Sequence, residues 1–330
     1  MITIKTAVKR FSFVMLLLSF SSWCAAQNDA VKQHGALHIK NGKMLDRNNV
    51  PPQLRGISLS WSVWGGKKYY NHEVVNWLKS DFKINLLRAS MAVEPKGGYL
   101  QDPETQEKMI TAVVDAAIKE GIYVLIDWHD HHANDNLKAS KAFFAKMSKK
   151  YAGVPNVIYE IWNEPEKIDW KTVKNYAIEV ISEIRKNDPH NVIVVGSPRW
   201  DQDVDIAAKD PITGFKNIAY SFHFYASDPN HQEKLMAKAD AAIQSGIALF
   251  VTEWGVGEAN GNGVFDLDKT TAWWNWMEKN KLSSANWNIT DKNETTAILL
   301  PGASASGNWA SEQLTPAGKY IRKQLREYNK

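Results

Sequence analysis

Apolar residues fall into short unbroken runs, separated by longer stretches where they recur every three or four positions. The runs are residues 53–58, 84–89, 122–127, 157–162, 192–195, 218–222, 248–252 and 285–289. Most are apolar throughout, as strands covered on both faces should be. Between them the helical period predicts helices over 72–81, 103–120, 139–151, 170–187, 232–244 and 267–280. Residues 204–208 form a weak helix at best. A last helix spans 315–328, with Thr315 as N-cap and Pro316 in the first helical position. Residues 38–46 and 50–54 read as a hairpin turning at Asn41-Gly42. Eight strands alternating with helices predict a parallel sheet. The fold class is α/β, and eight such units favour a (β/α)8 TIM barrel with an N-terminal β-hairpin over an open doubly wound sheet. No Gly-rich phosphate loop follows the first strand, which argues against a nucleotide fold.

The first 26 residues stand outside this pattern. Lys5, Lys9 and Arg10 precede an apolar stretch from Phe11 to Phe20, and Cys24-Ala25-Ala26 comes before Gln27. This is the plan of a cleaved secretory signal peptide. The stretch is about half of the roughly 20 residues a spanning helix needs, so a membrane anchor is the weaker reading. Trp23 makes a lipoprotein site at Cys24 a poor match. Residues 27–330 then read as a single catalytic barrel domain, with no Pro/Ser-rich linker dividing them. A secreted or periplasmic protein is expected.

Composition sharpens this. The 330 residues carry 40 Lys+Arg and 36 Asp+Glu, a net charge of +4 that falls to +1 when the three basic residues of the signal leave. A near-neutral chain is a poor match for a nucleic-acid partner. Hydrophobic residues at 44% and charged residues at 23% exclude disorder. The single Cys, at position 24, excludes a disulfide framework and a Cys-based zinc site. The 14 Trp are more than a core of this size needs, so some are expected to face a ligand.

Chemistry gathers where the predicted strands end, which is where active sites sit in such barrels. The second run ends Asn85-Leu86-Leu87-Arg88, and the third Asp127-Trp128-His129-Asp130-His131. The fourth ends Trp162-Asn163-Glu164-Pro165, and the sixth His223-Phe224-Tyr225. The seventh ends Thr252-Glu253-Trp254-Gly255, and the eighth carries Trp287. Glu164 and Glu253 stand out as a carboxylate pair, the working set of a glycosidase. Pro165 predicts an extended backbone at Glu164. Glu160 shares strand parity with Glu164 and reads as structural, neutralised by Arg88. His129 and His131 allow a metal reading, but no second ligand cluster, H-E-x-x-H or EF-hand loop accompanies them. No G-x-S-x-G marks a nucleophilic serine. No cofactor and no metal are expected.

Taken in order, Leu54-Arg55-Gly56, Asn85 to Met91, Asp127-Trp128-His129, Ile158 to Pro165, His223-Phe224-Tyr225 and Thr252 to Gly255 resemble glycoside hydrolase family five. The resemblance runs from about Gly35 to the C-terminus and is nearest to bacterial endo-β-1,4-glucanases. It implies a retaining double displacement with Glu164 as acid/base and Glu253 as nucleophile. Asn163 would bind the 2-hydroxyl of the attacked sugar, and His129 the same sugar. Tyr225 would contact the nucleophile, and His223 would hydrogen-bond near the acid/base. Arg88 would favour the nucleophile's ionised form. Trp287 would be the stacking platform of that sugar, Trp64 one on the glycone side and Trp200 one on the leaving side. Lys292 and Glu294 would hold the next sugar's hydroxyls. Trp273, Trp274 and Trp276 read as helix packing.

The partner expected is a β-glucan polysaccharide or cello-oligosaccharide, met by a monomer that has no membrane attachment once the signal is cleaved. The same chemistry on mannan, xylan or mixed-linkage glucan is the alternative, because specificity lives in loops. A noncatalytic polysaccharide-binding protein would not need both glutamates. A metal-dependent barrel hydrolase would lose its activity to EDTA. The chain has neither the linker nor the cellulose-binding module of many relatives, which favours soluble or amorphous chains over crystalline cellulose. The segments Lys96-Gly97-Gly98-Tyr99 and 301–309 are expected to reshape the ends of the cleft.

Overall fold

The structure, a computed structural model, describes residues 29–329. The expected export signal, residues 1–26, lies outside them. Two short strands, β1 (His38–Lys40) and β2 (Lys43–Leu45), pair antiparallel around Asn41 and Gly42. Eight further strands follow: β3 (Arg55–Leu59), β4 (Leu86–Ala92), β5 (Tyr123–His129), β6 (Val157–Glu160), β7 (Ile193–Val195), β8 (Ile218–Tyr225), β9 (Leu249–Gly255) and β10 (Ser284–Ile289). They are parallel and close in the order β10-β3-β4-β5-β6-β7-β8-β9, with β9 bonded back to β10. This is the expected (β/α)8 barrel, and each expected strand appears in it. Among the described residues no helix is long and apolar enough to cross a membrane.

Residues 50–54 do not form the strand expected of them. Asp46 Oδ1 accepts from Asn48 N at 2.8 Å and Val50 N at 3.0 Å, curling the chain into a side-chain-closed turn. Pro51 and Pro52 then supply no backbone donors for a ladder. The helices follow their sequence signals closely. The helix Pro103–Glu120 starts at Asp102, whose side chain accepts from Thr105 N, and stops at Gly121, where φ of +67° suits a residue without a side chain.

Alternation along the strands splits the interior into two parts. Outward residues such as Leu87, Ile126, Tyr159 and Phe222 pack against the helices. Inward residues at the strand starts, including Leu86, Tyr123, Ile158, Val194 and Phe250, fill the lower barrel. The N-terminal segment plugs that end with Ala30, Leu37 and Met44. Burying a side chain of the size of Leu37 or Met44 contributes about 1.5–3 kcal/mol. The inward positions further along the strands are polar: Arg88 on β4, Asp127 on β5 and Glu160 on β6 are all fully buried. This change from apolar to charged layers within one barrel marks the end that carries the chemistry.

Candidate active site

Two departures from regular backbone aim the paired carboxylates. In β9 the register against β8 moves from Ser221↔Phe250 to His223↔Glu253, and against β10 from Ser284↔Val251 to Asn286↔Trp254. Both neighbours therefore report one extra residue in β9, a bulge. Strict alternation would send Glu253 outward after inward Phe250 and Thr252. With the bulge, Thr252 and Glu253 both face the interior, and Trp254 returns to the outer core. At Glu164 the expectation of an extended backbone is corrected: φ is +53°, in the left-handed region. Pro165 disfavours the right-handed helical region before it, and Asp201 Oδ2 accepts the Glu164 N–H at 3.0 Å, holding the remaining turn. The β6 ladder ends at Glu160, yet Ile161 N still donates to Val194 O and Asn163 N to Trp128 O, so the segment leading to Glu164 stays anchored on both sides.

Arg88 lies at the centre, with no solvent exposure. Its Nη1 donates to Glu253 Oε2 at 2.7 Å, and Nε donates to Glu160 Oε2 at 2.7 Å. Nη2 donates to Asn163 Oδ1 at 2.7 Å and lies 3.0 Å from Asp127 Oδ2. The expected Arg88–Glu160 pairing is present. The second Glu253 oxygen accepts from the Tyr225 hydroxyl at 2.6 Å. Each oxygen of Glu253 thus has its own fixed donor. Because Arg88 only donates, it also sets the Asn163 amide: Oδ1 faces the guanidinium, and among the described residues Nδ2 has no partner. His129 donates from Nδ1 to Asp127 Oδ2 at 2.7 Å, leaving Nε2 for a ligand.

One buried cation serves several buried carboxyls, and burial governs their protons. Burial pushes Glu164 up to about 7, and the His131 ring and the Arg88 charge offset only part of this. Burial also lifts Asp127 to about 7 against the pull of Arg88, and it raises Glu160 and Asp201. For the histidines the sign reverses. Burial carries His223 down to about 4 and His129 well below its usual range, so both rings are neutral at ordinary pH. His223 Nδ1 lies 2.9 Å from Glu164 Oε1, and its Nε2 lies 2.8 Å from Thr252 Oγ1. The second oxygen of Glu164 makes no hydrogen bond among the described residues. One oxygen of each glutamate and a ring nitrogen of His223 all lie within 4.8 Å of one another. A carboxyl that keeps its proton near neutrality beside one held between fixed donors can work as an acid and a nucleophile.

Aromatic rings line the approach. Trp287 stacks on His129 with centroids 5.3 Å apart and planes 5° from parallel. Trp61 meets His129 edge-on at 4.1 Å, lies parallel to His131 at 6.0 Å and neighbours Trp64 at 5.8 Å. Trp64 is 68% exposed, far more than a packing residue of its size. Trp200 is half-buried and, with Glu164, His223, Tyr225, Gln202 and Asn260, lines a cavity of about 520 Å³. Lys292 and Glu294 pair with each other at 2.6 Å, and among the described residues no polar contact joins them to Glu164 or Glu253. Lys68 Nζ, from the turn that carries Trp64, donates to Asp291 Oδ2 at 2.7 Å and ties their loop to that turn. Trp254, Trp273, Trp274 and Trp276 are all buried in the outer core. Sequence reasoning missed Trp61 and Asp201. The W-x-x-W spacing after the first strand was a usable signal for Trp61; nothing local marked Asp201.

Among the described residues three groups of acids and histidines come close enough to hold a cation. Two are Glu164–His223–Glu253, in which Glu164 is partly exposed, and the buried set Glu160–Asp201–His223. The third is Glu94–Asp130–His132, where Asp130 already accepts from Trp128 Nε1, Asn136 Nδ2 and His132 N.

A closed parallel barrel whose β6 and β9 ends bring two carboxyls together is an architecture suited to a glycoside hydrolase. Residues 45–293 match the family model described as cellulase, glycosyl hydrolase family 5. Endoglucanase Z of Dickeya dadantii is 42% identical over 94% of this chain and 69% of its own length. A solved structure from Cytophaga hutchinsonii is 45% identical with a TM-score of 0.88, covering 91% of this chain and 97% of that one. The catalytic domain of Thermobifida fusca endoglucanase Cel5A, solved with cellotetraose, is 29% identical with a TM-score of 0.85 over 90% of this chain and 99% of that one. The chain spans about two thirds of the length of the endoglucanases it matches. The chain belongs to glycosyl hydrolase family 5.

Proposed function

We propose that this glycoside hydrolase is an exported endo-β-1,4-glucanase, a single catalytic barrel that cuts cellulose or soluble β-glucan with retention of anomeric configuration. The observation that carries the reading is the spacing of Glu164 and Glu253, with oxygens within 4.8 Å, near the roughly 5–5.5 Å of retaining enzymes and short of the wider gap that inversion needs. In the first step a Glu253 oxygen attacks the anomeric carbon. The bond to the leaving sugar breaks as Glu164 gives its proton to the departing oxygen. The product is a glycosyl ester on Glu253. In the second step Glu164, now a carboxylate, takes a proton from water, the hydroxide oxygen attacks the same carbon, and Glu253 is released. Esterification removes the negative charge beside Glu164, which favours its service as base. Asn163 Nδ2 and His129 Nε2 are the free polar groups for the attacked sugar's hydroxyls, and Trp287 offers its ring to the sugar's apolar face. Names of relatives and the bound cellotetraose of one neighbour support a glucan substrate. The basic, apolar start of residues 1–26 supports export.

The testing experiment is a product profile of the purified enzyme on cello-oligosaccharides, mannan and xylan, with product anomers followed by NMR. Cleavage of internal bonds in cello-oligosaccharides with the β-anomer formed first is expected. A mannan-only profile, or α-anomers first, overturns the assignment.

The acid's proton sets the upper pH limit. A carboxyl at about 7 is protonated below that value and ionised above it, so kcat/KM falls as pH rises through about 7. Glu164→Gln removes that basic limb and lowers kcat/KM on cello-oligosaccharides by about 10²–10⁴-fold. It spares kcat/KM on dinitrophenyl β-cellobioside, whose leaving group departs without a proton, while kcat falls because the second step has lost its base. A basic limb that persists in this variant assigns the limb to another group. On the leaving side, Trp200→Ala raises KM for cellohexaose by roughly fivefold to tenfold through lost stacking. Steady-state kinetics on cellohexaose and dinitrophenyl β-cellobioside check this, because the aryl substrate places no sugar there and keeps its KM.

A further inference from the structure

We propose that Asp201 is a positioning residue that holds the acid/base Glu164 and the leaving-side ring of Trp200 in one register. The inference rests on the assignment of Glu164 as acid/base. Asp201 has no solvent exposure, so it cannot touch substrate. Its carboxyl spends both oxygens on backbone: Oδ2 accepts Glu164 N–H at 3.0 Å, and Oδ1 accepts Ser197 N–H at 2.5 Å. Those two bonds span the β6 and β7 strand ends.

The segment that Asp201 terminates is itself unusual. Arg199, Trp200 and Asp201 have φ of +56°, +56° and +59°, three consecutive side-chain-bearing residues in the left-handed region. Glu164 is a fourth, at +53°. Such residues stay there only when their surroundings hold them. The two loops hold each other: Trp200 N donates to Pro165 O and Arg199 N to Glu166 O, each at 2.8 Å. Gly196 lets them approach, since a Cβ there would sit 2.6 Å from Trp162 O and 2.8 Å from Pro165 Cδ. Among the described residues Asp201 is the one side chain that bonds the Glu164 amide, and Trp200 precedes it directly. The carboxyl also lies 3.6 Å from His223 Nε2, the ring whose other nitrogen meets Glu164 Oε1. Asp201 therefore holds Glu164 through its backbone amide, while His223, too far from Asp201 for a hydrogen bond, meets the Glu164 carboxyl beside it.

A substitution that removes one acceptor frees the Glu164 backbone. In Asp201→Asn the amide nitrogen must face either Glu164 N–H or Ser197 N–H, donor against donor. The acid then loses its aim, and a displacement of about 1 Å costs on the order of 10²-fold in rate. The bond that breaks without protonation is unaffected. The test compares kcat/KM of Asp201→Asn on cellopentaose and on dinitrophenyl β-cellobioside. The ratio of the two values is independent of the fraction of enzyme that folds. The expected result is a ratio lowered about 100-fold, borne by cellopentaose. Asp201→Ser, with one short acceptor, should give the same direction. An unchanged ratio in both variants, whether through equal losses or none, overturns the proposal and leaves Asp201 a structural residue. Glu164→Gln, measured beside them, must lower the same ratio; if it does not, the acid/base assignment has failed instead.

Discussion

Glu253→Gln lowers turnover of carboxymethyl cellulose by on the order of 10⁵-fold, while the protein keeps its fold. The substitution preserves volume and the contacts of one oxygen, yet removes the proposed nucleophile. Tyr225 can still donate to a Gln carbonyl oxygen. The amide nitrogen would then meet the Arg88 Nη1 that now donates to Oε2 at 2.7 Å. That donor-against-donor contact moves the side chain slightly without emptying the core. Activity on dinitrophenyl β-cellobioside falls equally, because no leaving group can compensate for an absent nucleophile. The pair of variants is therefore diagnostic: Glu164→Gln spares kcat/KM on the activated substrate and Glu253→Gln does not. Substantial turnover by Glu253→Gln would remove this residue from its role. Circular dichroism and thermal unfolding confirm that loss of rate is not loss of structure.

Arg88→Met has the largest expected effect on stability. The guanidinium contacts Glu160, Asp127, Glu253 and Asn163, and among the described residues nothing else buried beside these acids carries a permanent positive charge. Removing one partner of a buried ionic set costs about 3–5 kcal/mol, since the remaining charges stay desolvated. For a domain of this size that corresponds to a fall in Tm on the order of 10 °C. Glu160 and Asp127 already retain protons more strongly than free acids, so the variant recovers part of the loss as pH falls and they become neutral. Thermal melts across pH check the sign: the gap to the parent narrows on acidification. The double variant Arg88→Met, Glu160→Gln should be more stable than Arg88→Met alone, because one uncompensated carboxyl is gone. A gap that is constant with pH, with no rescue, would mean that packing and not charge sets the role of Arg88.

How much of this was legible beforehand follows from the range of each signal. Strand runs and the helices Pro103–Glu120 and Leu267–Asn280 were readable because alternation, period and capping are local properties. The polar residues at strand ends were readable once the barrel was inferred, and Arg88, Glu160, Asn163, His223 and Tyr225 do meet the two glutamates or each other. Val50 to Leu54 was misread because the side chain of Asp46 competes with the ladder for backbone donors, which an apolar pattern does not express.

The apolar and polar order of the chain alone settles the barrel, its eight strands and the carboxylates offered at their ends, because burial selects residue types one position at a time. It does not settle which way those carboxylates look. The bulge in β9 that brings Glu253 inward exists only as a register between β9 and both its neighbours. The left-handed backbone at Glu164 persists because Asp201, 37 positions further along, accepts its amide. Register and long-range acceptors belong to pairs of distant segments, and they acquire an energy only when the barrel closes.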